Sequence, residues 1–400
     1  MPWKTSTMSS QRSQFILESK SRTFTHSELC RRYSISRVAG YKWLHRFNEE
    51  GMAGLRDRSR KPKTKTSEVS HEITTMIVSY RTAHPSWGAT KIHKILKREL
   101  KNKSVPSRRT IHRVLQDCNL VTTRVCRGSR KAPTKRLVLK AKYLNHVWTV
   151  DFKGWWRTKD GKKVYPLTIR DEFSKFVLAV ECLSSPSLEP VKHAFTDCFK
   201  SYGLPDYIRC DNGTPFCNSK ALCGLSRLST WWLKLGITPN FIPPASPQYN
   251  GGHERMHRDM KADLQSNPAR NLRQQQIVVD AWREDFNNIR PHDSLGDRTP
   301  ASIFKRSKTK YNFAEPPLEY RQGLVSRFVN KQGTFTFGGK KIFLSKAVGS
   351  ENIGLEVNSN NSIKIYFAHV LIAVADSNFE TKFSEVDFIT GLIYDEKIAA

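Results

Sequence analysis

The chain has 400 residues and a formal charge of +31 on 46.0 kDa, with a sequence pI near 10.0. That length implies several domains, and a charge beyond what solubility needs implies a polyanionic partner, nucleic acid ahead of an anionic membrane. No stretch approaches the eighteen or so apolar residues of a spanning helix, residues 1–14 lack the apolar core of a secretory signal, and eight cysteines without a Cys-x-x-Cys pair fit reduced thiols; a cytoplasmic, nucleoid-associated protein is expected.

The charge is uneven: residues 1–142 hold 33 Lys and Arg against 9 Asp and Glu, which is +24 of the total. In a first module, 1–53, residues 26–33 and 37–48 read as two helices parted by Ser34 and Ile35, with Ser36 as N-cap. Val38, Tyr41, Leu44 and Phe47 recur every three residues and predict one apolar face, leaving Arg37, Lys42 and Arg46 to solvent. That is a helix-turn-helix pattern with a face suited to DNA; the plain alternative is a helical pair with a solvated basic surface. Residues 54–66, with Arg56, Arg58 and Arg60, are too polar and basic to pack and predict a linker along phosphates or in a minor groove. A second helical module, 67–120, places Val69, Ile73, Ile77 and Tyr80 on one helix, Ile92, Leu96 and Leu100 on the next, and Ile111, Leu115 and Cys118 on a third capped by Ser107. Arg108 and Arg109 open that third helix, positioned for base readout or for phosphate contact alone. A second basic linker, 121–142, follows.

From residue 143 strand-like segments at 147–152, 164–169, 176–180 and 207–210 alternate with a helical spacing over 190–202, which predicts a mixed sheet flanked by helices over 143–305. Six short strands between 328 and 373, parted by Gly, Asn and Lys-Gln turns, predict a small C-terminal all-β domain, 318–376, closed as a barrel, ahead of an unassigned tail, 377–400. The fold class is multidomain α and α/β.

Phosphodiester chemistry needs hard divalent cations, held by carboxylates that converge from separate elements. Asp151 ends the apolar run Trp148-Thr149-Val150-Asp151-Phe152, and Asp211 follows Tyr207-Ile208-Arg209-Cys210 before an Asn212-Gly213 turn. Either aspartate alone also reads as a strand-terminal cap. Glu254 follows a Pro- and Gly-rich loop and falls in the first turn of a helix predicted over 252–266, favoured by the helix dipole. Arg258 lies one turn on and Lys261 two turns on, so both share its face and would reach a phosphate.

Those acids in context, Trp-Thr-Val-Asp151-Phe, Cys-Asp211-Asn-Gly-Thr-Pro-Phe and Ser-Pro-Gln-Tyr-Asn-Gly-Gly-His-Glu254-Arg, with Arg290-Pro291-His292 and Thr299-Pro300-Ala301, resemble the integrase core of bacterial insertion-sequence transposases, nearest to insertion-sequence family 481. The run 225–233 resembles that group too and helps explain the 42 residues between Asp211 and Glu254; so do 40–44 and 55–60. The resemblance implies a ribonuclease-H-like DDE catalytic core in which Asp151, Asp211 and Glu254 hold two Mg2+ ions roughly 4 Å apart, with Mn2+ as an expected substitute. It implies a transposase that binds the terminal repeats of its element in double-stranded DNA, cleaves them by metal-assisted hydrolysis and joins the 3′-hydroxyl to target DNA, acting as a homodimer or higher oligomer on DNA. The zinc knot of retroviral integrases has no counterpart in this sequence. Asp171 and His292 read as residues that hold turns.

Two other classes remain. Residues 253–257, His253-Glu254-Arg255-Met256-His257, match the zinc-metalloprotease pattern of two histidines one helical turn apart with a glutamate base, but lack an identifiable third ligand and leave the basic N-terminus unexplained. A DNA-binding regulator with an inactive transposase core would share everything except a working triad.

Overall fold

The computed structural model of the chain describes residues 8–58, 69–101, 104–121, 139–218, 221–242, 251–265, 267–312, 317–358, 362–376, 384–386 and 393–394. It forms two compact units, Met1–Val69 and Ser70–Ala400. No helix among the described residues is long and apolar enough to cross a membrane.

The first unit holds α1 (Met8–Lys20), α2 (His26–Arg32) and α3 (Arg37–Glu50). Thr25 and Glu28 form a capping box on α2, and Ser36 caps α3 by accepting the Ala39 N–H, as its sequence predicts. Ser34 takes a left-handed φ of 54° in the turn between them. The expected apolar face of α3 is corrected: Val38 and Tyr41 are 79% and 61% exposed, and only Leu44 and Phe47 turn towards the core of Phe15, Ile16, Leu29, Cys30 and Leu55. The reason is Gly40, the buried residue of α3, where a Cβ would lie 2.6 Å from Cys30 Sγ and 2.8 Å from His26. The helices meet at a residue with no side chain, which a count of apolar positions passes over. Gly54 and Leu55, expected in a linker, are also buried, because the short 3-10 turn Gly51–Leu55 drops Leu55 into that core.

In the second unit α4 (His71–Ala83), α5 (Ala89–Glu99) and α6 (Arg108–Asp117) have Ser70, Gly88 and Ser107 as N-caps and bury Ile77, Ile92, Leu96, Ile111 and Leu115 as the spacing predicts. Val69, however, precedes α4, Leu100 ends α5 as its C-cap, and Cys118 lies past the end of α6 and is exposed. Their core is Ile77, Trp87, Ile92, Ile95, Leu96, Ile111 and Leu115. This trio docks on the sheet domain: the Ser86 N–H and hydroxyl both donate to Asp263 at 3.1 Å, Lys94 pairs with Asp293 and Asp297, and Arg98 donates to the Ile289 carbonyl.

The sheet domain is built from β1 (Val147–Phe152), β2 (Trp156–Arg157), β3 (Lys163–Asp171), β4 (Val177–Leu183), β5 (Tyr207–Cys210) and β6 (Thr238–Phe241). Its order is β4-β3-β1-β5-β6, with β2 continuing beside β3; β4, β3 and β1 are antiparallel, and β1, β5 and β6 parallel. Helices cover both faces. α7 (Leu188–Tyr202) and α8 (Arg227–Lys234) pack with Trp148 and Val150 on one side. On the other, α9 (Gly251–Met260) and α10 (Leu272–Asn288) pack Met256, Met260, Val279, Trp282 and Phe286 against Val164, Val177 and Val180. Strand alternation therefore turns Thr149 and Asp151 towards α9.

The C-terminal strands are β7 (Val325–Phe328), β8 (Thr334–Phe337), β9 (Lys340–Phe343), β10 (Asn352–Val357), β11 (Ser362–Phe367), β12 (Val370–Asp376), β13 (Ser384–Val386) and β14 (Ile393–Tyr394). They form an open sheet, β14-β13-β12-β11-β10-β7, and a separate hairpin, β8-β9, in place of the expected closed barrel. Among the described residues its outer strands β7 and β14 do not pair with each other, and two strands come from the tail that the sequence left unassigned.

Candidate active site

Asp151 lies near the end of β1, and Asp211 directly follows β5. These strands are parallel neighbours paired Trp148–Ile208 and Thr149–Arg209; the same register carried two residues on sets Asp151 beside Asp211. The Asp211 turn is held by the Gly213 N–H donating to its Oδ1 at 3.2 Å and by Asn212 Nδ2 donating to the Ile242 carbonyl at 2.8 Å. Glu254 is exposed in the first turn of α9. The loop 243–250 before it lies outside the described residues. Burial first, then the charge of Asp211, with a smaller push from Glu254, raise the Asp151 carboxyl to about 7. Asp151 and two carboxylates near enough to raise its pKa make a donor set that fits hard divalent cations.

Asp151 is also near two histidines: it, His253 and His257 bring ligand-capable atoms within 4.8 Å of one another. His253 is wholly buried, with Nε2 2.7 Å from the Thr149 hydroxyl and Nδ1 3.0 Å from the Thr168 hydroxyl. His257 Nε2 lies 2.8 Å from that same Thr168 oxygen, and its Nδ1 3.8 Å from Asp151 Oδ2. Thr168 donates its proton to the Asp151 carbonyl at 2.9 Å, so it accepts from both imidazoles, and His253 Nε2 accepts from Thr149. Burial lowers the pKa of both rings, that of His257 to about 3, which keeps them neutral. The histidines brace the strand that carries Asp151. With both nitrogens of His253 engaged, the geometry counts against the zinc-protease alternative, whose ligands need open lone pairs.

The remaining predicted residues are dispersed. Lys261 is exposed where α9 loosens into the π turn Lys261–Gln265; with burial as the larger cause, its charge lowers the pKa of Lys153, two residues beyond Asp151, so it lies on the side of the acids. Arg258 lines a neighbouring cavity with Arg255. Arg108 and Arg109 are exposed in the first turn of α6. In the first unit Arg37, Lys42 and Arg56 are exposed, Arg46 is half-buried over the Trp43 ring, and Arg58 pairs with Glu50. Arg60 lies outside the described residues. Asp171 accepts from the Asn145 and Ser174 N–H groups at 2.9 and 2.7 Å, fixing the β3–β4 turn, and the His292 carbonyl accepts from Leu295 and Asp297 in the turn after it.

Sequence reasoning missed the supporting residues Thr149, Thr168, Lys153 and Arg170. The signal for Thr149 is its place two residues before Asp151 on one strand face, opposite histidines at i and i+4 of a helix. Thr168 carries no such signal, because only the β1–β3 pairing sets it across from Asp151.

Residues 11–63 match a family described as a helix-turn-helix domain, and 39–115 one described as a homeodomain-like domain. Residues 143–247 and 235–300 match two families described as integrase core domains. A 39.2 kDa protein of insertion element IS476 from Xanthomonas euvesicatoria is 24% identical over 284 residues, 70% of this chain and 78% of that protein. A 31.7 kDa protein of insertion element IS407 from Burkholderia multivorans is 23% identical over 237 residues, 59% of this chain and 80% of that protein. The integrase core matches together span residues 143–300 behind the helix-turn-helix matches, and both of these relatives are insertion-element proteins. Among solved structures, the chain is similar to the magnesium-bound catalytic core of HTLV-2 integrase, with 18% identity, 41% of this chain and 99% of that chain covered and a TM-score of 0.30. It is also similar to a simian T-cell lymphotropic virus intasome chain, with 13% identity, 74% and 97% covered and a TM-score of 0.35. These relatives do not single out insertion-sequence family 481, which stays an expectation of the sequence.

Proposed function

We propose that the chain is a transposase that binds the ends of its mobile element, hydrolyses a phosphodiester bond there, and joins the freed 3′-hydroxyl to target DNA. The observation that carries this reading is the convergence of Asp151, Asp211 and Glu254 from two adjacent parallel strands and a helix N-terminus, with the Asp151 carboxyl raised first by burial and then by the charges of Asp211 and Glu254. Asp151, Asp211 and Glu254 would hold Mg2+, or Mn2+ in its place; when bound, such ions supply Lewis-acid activation of water and of the scissile phosphate. The chain's own part is orientation. The parallel pairing of β1 and β5 delivers two carboxylates to one edge of the sheet, while the Thr168 hydroxyl and the two neutral imidazoles fix the backbone and the buried side of Asp151. In the first step a water oxygen bonds to phosphorus and the 3′ oxygen leaves as the element's 3′-hydroxyl. In the second, that hydroxyl bonds to a target phosphorus, a target 3′ oxygen leaves, and the proton passes to it, so one phosphodiester replaces another. Lys261 and Lys153 supply positive charge beside the acids for the incoming phosphate.

The test is incubation of the full chain with duplexes carrying its own element ends, with and without Mg2+ or Mn2+. Nicked ends and joined products that require the cation are expected; end binding without either product would leave a DNA-binding regulator as the reading.

A further inference from the structure

Beside the acids, on the flank of α9 that carries Arg255, lies a cavity of about 450 Å³ bounded by the start of α5, the end of β3, α9 and the turn at 290–294. Its charged lining is lopsided: Lys91, Arg170, Lys175, Arg255, Arg258 and Arg290 face Asp259 and Asp293. Both acids are already engaged, Asp259 by Arg290 and Asp293 by Lys94.

Arg170 is 5% exposed and Arg290 4%, and neither Nε has a hydrogen-bond partner; nor does Nε2 of His292 on the same wall. Among the described residues no carboxylate forms an ion pair with Arg170, and Glu172 and Asp171 support its charge only from a distance, against the larger effect of burial. A buried guanidinium left in this state is costly unless something supplies acceptors. Arg170 lies under the first turn of α9, so close that a Cβ on Gly252 would come 1.9 Å from its Nη2. The N–H groups of that turn carry positive partial charge as well, so guanidinium and helix end together favour an anion in the cavity beside them. The Lys91 ammonium tells the same story: burial, then the neighbouring Arg290, push its pKa down to about 8.

A concave wall of donors with several directions and no free acid fits a tetrahedral oxyanion. The cavity is roomier than a lone phosphate needs and suits a diester with part of its sugars. We propose that it is a phosphate site, which holds one backbone phosphate of the bound DNA and thereby locks α5 onto the helix that carries Glu254. The inference rests on the transposase reading for the source of that phosphate. It adds a coupling, since Lys91 belongs to the helical trio and Arg255 and Arg258 to the catalytic helix.

The test uses the full chain and three variants, Arg255→Gln, Lys91→Met and a charge control off the cavity, Lys310→Gln. Inorganic phosphate at constant ionic strength is expected to raise the melting temperature of the parent and of the control, and to lose that effect in the two cavity variants. Binding of an element-end duplex across a salt series is expected to lose about one unit of log–log slope in each cavity variant. With DNA saturating, joining by these variants is expected to fall about tenfold or more, because a displaced α9 misplaces Glu254. Equal phosphate stabilisation in all four proteins overturns the site. Loss of phosphate stabilisation with an unchanged DNA slope overturns DNA as its source, in favour of a free phosphate compound. Parental joining at saturating DNA overturns the coupling. A parent that shows the cavity-dependent slope but never joins ends would sink the catalytic reading and leave the phosphate site standing.

Discussion

Asp151 depends on neighbours that are not acids. Its carbonyl accepts from Thr168, whose oxygen in turn receives both imidazoles, so one hydroxyl orders β1, β3 and α9 together. Replacing Thr168 by Val keeps the shape and removes every one of those bonds. A loss of about 10–100-fold in metal affinity or joining is expected, as for other residues that orient ligands, measured by titrating Mn2+ against joining rate; parental affinity would remove Thr168 from the site. Asp151→Asn, Asp211→Asn and Glu254→Gln each delete a charged donor and are expected to abolish cutting while end binding persists. Cleavage retained by any one of them would take that residue out of the triad. His253→Asn and His257→Asn should lower activity in part without releasing zinc, since neither ring is read here as a ligand. Stoichiometric zinc in the parent, lost in either variant together with casein cleavage, would restore the protease alternative.

At the scale of elements, two joints carry testable weight. Where α2 crosses α3, Gly40→Val would press branched methyl groups into Cys30 and His26; overpacking of this kind costs about 1–3 kcal/mol. Thermal unfolding of the full chain should show the first unit melting earlier, and an unshifted transition would mean that the helices simply separate. At the other joint, Asp263 accepts from the Ser86 N–H and hydroxyl and from Trp282 Nε1 at 3.1 Å each. Asp263→Ala leaves three donors without acceptors, a cost of about 1–3 kcal/mol for each that stays buried. Faster amide exchange across 84–90 is the expected readout, and parental protection there would show that the other contacts, His84 with Asp285 and those of Lys94 and Arg98, hold the trio in place.

For the whole molecule, the division after Val69 sets the natural cut for dissecting DNA binding. The helical trio docks on the sheet domain through Asp263, Asp293 and Asp297, so a chain beginning at residue 70 should stay folded. It should bind element ends with a shallower salt dependence than the full chain, because the Lys and Arg contacts of the first unit no longer release counterions, about 0.9 per phosphate. Identical slopes would mean that residues 1–69 do not touch DNA.

Local chemistry set much of this in the sequence alone. Ser36 and Ser107 announced two helix starts, because a cap is satisfied within three residues. The candidate acids were legible because each ends a run or opens a helix beside its own turn residues, and the charge excess of residues 1–142 needs only counting. Other features required the chain to meet itself. Val38 and Tyr41 face outward because α2 leaves room only for a glycine, a fact about another helix. The C-terminal sheet stays open, with strands drawn from the tail, because alternation marks a strand but not its partner. Thr168 reaches Asp151 through strand register, and Arg170 reaches the first turn of α9 across more than eighty residues of chain. Short-range hydrogen bonds and periodicity are written in neighbouring letters; the brace behind the acids and the cationic cavity beside them exist only where distant segments close on one another, and tertiary structure alone decided those.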